Sequence, residues 1–84
     1  MKHATSAALG GLSELLDQIR TRDGLAEKKL GIFDRKSKSF LHFHEDQAGL
    51  FADLSAGAGF DRYPVNSRRD WQVLLSAIDR AMKS

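Results

Sequence analysis

"KLGIFDRKSKSFLHFHEDQAGLFADL", Lys29 to Leu54, is the stretch that decides the fold. Its apolar residues recur with a period of two, the signature of half-buried strands. Leu41, Phe43 and Glu45 fall on one side, and Phe40, His42 and His44 on the other. Further along, Leu50, Ala52 and Leu54 oppose Phe51 and Asp53. The stretch reads as three strands, at about 29–34, 38–45 and 49–54. The first turn is polar, Arg35-Lys36-Ser37-Lys38. The second, Glu45-Asp46-Gln47-Ala48-Gly49, ends on a glycine suited to a positive φ. Loops this short make the strands antiparallel neighbours, so the segment is a meander.

The rhythm changes on both sides. Upstream, "SAALGGLSELLDQIRTRDG" places Leu9, Leu12, Leu15, Leu16 and Ile19 at helical spacing. Gly10 and Gly11 weaken its first turns, which makes Ser6 and Ser13 rival caps. Gly24 is the expected left-handed terminator. Residues 1–5 read as a loose end. Downstream, "SAGAGF" reads as a flexible loop and 60–65 as a short extended piece that can add a fourth strand. Pro64 lacks an amide donor, which assigns that piece to a sheet edge. "NSRRDWQVLLSAIDRAMKS" is a second helix, capped by Asn66 or Ser67. Asp70 follows Ser67 by three residues, as in a capping box. Trp71, Leu74, Leu75, Ile78 and Met82 form its apolar stripe, with Trp71 expected in the core. Arg80 and Lys83 suit the helix dipole at the carboxyl end.

The order is α-β-β-β-(β)-α. It predicts a single two-layer α+β domain: an antiparallel meander of three or four strands flanked by an N-terminal and a C-terminal helix on one face. Leu41, Phe43, Leu50, Ala52 and Leu54 are the natural helix-facing set. The second face then holds Phe40, His42, His44, Phe51 and Asp53, joined by Ile32 or Phe33. A solvated face would carry Lys, Thr and Glu. This one mixes aromatic rings, imidazoles and a carboxylate, and such a patch points to a partner or a ligand.

Composition narrows the classes. The 84 residues are 42% hydrophobic and 29% charged, which fits one small core. There is no cysteine, which excludes disulfides and thiolate metal sites. No apolar run approaches the roughly 20 residues of a membrane span. The apolar start is broken by Gly10 and Gly11 and followed by Glu14 and Asp17, so it does not read as an export signal. A cytoplasmic protein is the expectation.

Three readings fit the second face. The leading one is a non-enzymatic interaction module with a protein partner, by default a second copy in a symmetric homodimer, and with no cofactor. The alternative is a divalent transition metal or small ligand. His-x-His on a strand puts both imidazoles on one side, and Asp53 or Asp34 can complete a two-His-one-carboxylate set. Catalysis by His42 or His44 with Asp53 finds no marked nucleophile, and Gly57-x-Gly59 lacks the strand and helix of a phosphate loop. No catalytic residue is assigned.

The third function reading is nucleic-acid binding. The net charge is only +2, from 13 Lys and Arg against 11 Asp and Glu. Lys28, Lys29, Arg35, Lys36 and Lys38 gather around the first hairpin, and Arg62, Arg68 and Arg69 around the last helix. Joined, they would form a basic patch beside stacking aromatics. Lys36 and Lys38 also serve simply to solubilise a turn and blunt an edge.

The run "LGIFDRKSKSFLHFHEDQAGLFADL", followed by "FDRYPVNSRRDWQVLLSAID", resembles a small group of uncharacterised bacterial proteins with a "FLHFHED-x-x-GLFADL"-type core. That resemblance implies a bacterial origin and no activity. Gly24-Leu25-Ala26-Glu27 and the element order are similar to the MmcQ/YjbR-like proteins, which have a leading helix, a curved sheet and a closing helix. No functional residue is carried over from either resemblance.

Overall fold

The N-terminal apolar stripe folds as two helices, α1 (Ser6–Gly10) and α2 (Ser13–Arg20). The computed structural model describes residues 2–83, with side chains from Ala4 onward. The break falls at Gly10-Gly11, where helix propensity is lowest. Neither Ser6 nor Ser13 is a cap. Thr5 caps α1, its hydroxyl accepting from the Ala8 amide at 3.2 Å, and Leu12 precedes α2 with no side-chain cap. The stripe survives the break, since Leu9, Leu12, Leu15, Leu16 and Ile19 are all buried. Gly24 takes the expected positive φ (+94°), but in the turn beyond the helix, which ends at Thr21.

The expected first strand, 29–34, is two strands. β2 (Leu25–Lys29) and β3 (Ile32–Arg35) meet at a Leu30-Gly31 turn in which Gly31 takes φ +76°. β4 (Lys38–Asp46), β5 (Gly49–Ala56) and β6 (Gly59–Pro64) follow. All neighbours pair antiparallel, in the order β2-β3-β4-β5-β6. "SAGAGF" is not a loop, because only Gly57 and Ala58 lie between paired strands. β6 is an edge strand, as Pro64 required. The first residues are not loose: β1 (Lys2–His3) pairs with Glu45 and His44 of β4. Met1 lies outside the described residues.

The second helix of the reading is α3 (Arg68–Met82). Ser67 is its cap, accepting from the Asp70 amide at 3.1 Å. The shorter Asp70 carboxylate reaches back to the Asn66 amide at 2.9 Å, so the box closes one residue early. Asn66 has another task. Its side chain brackets Leu50, accepting from the backbone amide at 2.9 Å and donating to the carbonyl at 3.1 Å. A Cβ on Gly49 would lie 2.7 Å from Asn66 Oδ1, so this clamp needs glycine there.

Leu41, Phe43, Ala52 and Leu54 are buried in one cluster with the stripes of the helices. Leu50 and Trp71 pack partly buried against it, and Trp71 Nε1 donates to the Val65 carbonyl at 3.1 Å. The helices therefore cover one face of the sheet, in two layers. Two cross-links tie α2 and the turn after it to α3: Glu14 accepts from Arg68 at 3.0 Å, and Arg22 donates to Asp79 at 2.9 Å. No described helix is long and apolar enough to cross a membrane.

Candidate functional site

The two-residue turn at Gln47-Ala48 sets the β4–β5 register. Asp46 Oδ1 accepts from the Ala48 amide at 2.7 Å, and Gly49 takes φ +127°. Counting back from that turn places His42 directly opposite Asp53 and His44 opposite Phe51. A slip of one residue would send Asp53 to the helix side. The same arithmetic works at the next turn. Counting outward from Gly57-Ala58 places Arg62 opposite Asp53 and Phe60 opposite Ser55. Three strands thus deliver His42, His44, Asp53, Phe60 and Arg62 to the face away from the helices.

Their side chains meet. His42 Nδ1 lies 2.7 Å from His44 Nε2, and the rings stand edge to face. His44 Nε2 lies 3.1 Å from Asp53 Oδ2. Arg62 grips the same carboxylate with both arms, Nε to Oδ1 at 2.9 Å and Nη2 to Oδ2 at 3.1 Å. Phe60 leans on His42 with ring centroids 5.0 Å apart. The side chains of His44 and Asp53 are each only 13% exposed, well shielded for the open face of a two-layer domain. The Arg62 hydrogen bonds hold the Asp53 carboxyl below the usual carboxylate range. Burial pushes the other way, while the charges of Arg62, His44 and His42 add to the lowering. Asp53 is therefore an anion at neutral pH.

His42, His44 and Asp53 each offer one ligand atom, and these atoms all lie within 4.8 Å of one another. Nitrogen and carboxylate oxygen at that spacing suit a borderline divalent ion such as zinc, nickel or iron(II). Asp34 is not part of the group, since it stands opposite Ser39, further along β4.

Phe40 leaves the expected face. A bulge between β3 and β4 pairs Phe33 with Leu41 but Asp34 with Ser39, so Phe40 is the extra residue. Its side chain turns into the core beside Leu41 and is 5% exposed. The Arg35 guanidinium sits 5.8 Å above its ring and donates to the carbonyls of Ala81 and Met82 at the end of α3. Phe51 stays on the site's face, half-buried. Ile32, opposite His42, joins it, while Phe33 is core.

The basic residues do not gather. Lys28 and Lys29 lie by the Leu30-Gly31 turn, whereas Lys36 and Lys38 lie at the other end of β3. Arg35 holds α3, Arg62 holds Asp53, and Arg68 reaches Glu14 and stacks over Trp71. Arg69 is exposed in the first turn of α3. Reading the sequence by composition put Arg62 in a charge patch. The symmetry of Asp53 and Arg62 about Gly57-Ala58 was the signal for its true place.

Comparison of the chain with protein-family models, curated proteins and solved structures finds no match.

Proposed function

We propose that this domain is a binding module that takes a divalent transition-metal ion at His42, His44 and Asp53. One observation carries the reading: three ligand atoms from two adjacent strands converge within 4.8 Å on a largely shielded patch. Their register follows from a two-residue turn and not from a mobile loop, so the set is preorganised. Titration of the tag-free protein with zinc, nickel or iron(II) tests it. The ring signals of His42 and His44 are expected to move specifically, and His44→Ala to weaken binding at least about tenfold. Absence of shifts at both rings, or shifts spread over exposed carboxylates, would remove the metal reading.

A second reading, self-association, is favoured by Phe60. That ring is on the same face and 48% exposed, with its other side against His42. An apolar ring left outside a filled core is the kind of group that a second copy covers.

A further inference from the structure

Asp53 has two claimants. Its Oδ2 lies 3.1 Å from His44 Nε2, and the same oxygen accepts from Arg62 Nη2 at 3.1 Å. An ion bonded to that oxygen at about 2.1 Å would stand within about 5 Å of the guanidinium nitrogen. A double and a single positive charge repel at that range even in a water-like dielectric. Arg62 is free to yield. It belongs to edge strand β6, and its side chain is 51% exposed. Asp53 is fixed on the paired strand β5 between two neighbours, so it is the cation that has room to move.

We propose that Arg62 is a latch on the metal site: it occupies the Asp53 carboxylate until an ion enters, and the ion displaces it from Oδ2. The inference rests on the metal reading above. It assigns Arg62 a role opposed to the common one, in which a donor to a ligating carboxylate orients it and strengthens metal binding. With the latch, ion and guanidinium compete. Metal affinity is then set below what the three ligands alone would give, and metal loading frees a cation at the rim of the site.

The two roles make opposite predictions for Arg62→Gln. A latch gives tighter zinc and nickel binding in the variant, by about tenfold or more. An orienting arginine gives weaker binding, by about 10–100-fold. Calorimetric titration of wild type, Arg62→Gln and Arg62→Lys with each ion separates them. Arg62→Lys keeps the charge without the fork and is expected to fall between the other two. His44→Ala added to Arg62→Gln is expected to abolish the gain. In the wild type, the Arg62 Nη2–H resonances, from the arm on Oδ2, should shift on saturation with zinc. Binding in Arg62→Gln that is equal to or weaker than wild type, or Arg62 Nη2–H signals unmoved at saturation, overturns the latch and leaves the metal site standing. Binding only in the variant supports the latch. If no protein moves its histidine ring signals with either ion, the metal reading falls and the latch falls with it.

Discussion

Glu27 accepts from three donors in two separate parts of the chain. Arg20 of α2 donates to it through Nε at 2.7 Å and Nη2 at 3.0 Å, and the Gly31 amide donates at 3.1 Å. The hydrogen bonds from Arg20 hold its carboxyl below the ordinary glutamate value, with the Gly31 amide helping and partial burial opposing. A depressed folded-state value means the contribution is present above the unfolded value, about 4.3, and is lost as the pH falls below it. Glu27→Gln should therefore lower stability at neutral pH by about 1–2 kcal/mol. The same variant should flatten the decline below about pH 4. Chemical denaturation from pH 7 to pH 3 checks both, and an unchanged acid slope would sink the assignment. Single residues also mark what the sequence hid. Alternation located His42, His44 and Asp53 correctly. It misplaced Phe40, because one bulged residue reverses the count and nothing in "SKSFLHF" marks a bulge.

From β2 to β6 the strands are joined by two-residue turns: Leu30-Gly31, Lys36-Ser37, Gln47-Ala48 and Gly57-Ala58. Three of these turns have a glycine at or beside the position of positive φ. The fourth does not, and Lys36 (φ 54°) and Ser37 (φ 64°) both sit in the left-handed region. That is the demand of a type I′ hairpin, for which Asn-Gly is the favoured pair. Each non-glycine residue there costs about 1–2 kcal/mol. Lys36→Asn with Ser37→Gly should raise stability by about 1–2 kcal/mol. Thermal unfolding should then shift upward by about 4–8 °C per kcal/mol. No rise would mean the turn adopts another geometry in solution. Legibility at this scale followed burial. α3 buries a regular stripe, and β4 and β5 carry alternating core residues past the bulge, so all three read directly. β2, "LAEKK", is an edge strand with little to bury, so its residues carried no period. The N-terminal stripe ran on unbroken across Gly10-Gly11, so one helix was expected where two form.

At the scale of the whole molecule, one face of the sheet carries the helices and the other carries the histidine site. If Phe60 is covered by a second copy, light scattering should give twice the monomer mass, and Phe60→Ser should return the protein to a monomer. A strict monomer at high concentration would eliminate self-association while leaving the metal reading intact. The two-layer plan was legible because both helices and the central strands each have a single apolar side. What the outer face holds was legible only in part, since a contact such as Asp53 with Arg62 depends on a register across a turn. The meander has a further consequence, in the time domain. From β2 to β6 each strand pairs with the next, across a turn of two residues, so closing each pair forfeits little chain entropy. The seam between the end of α2 with its following turn and α3 is different, for Arg22 and Asp79 are 57 residues apart. A chain with mostly local contacts folds fast, and its long-range closure comes as the slower share of the search. The sheet can zip from any hairpin, whereas the two ends of the chain must find each other across its finished face.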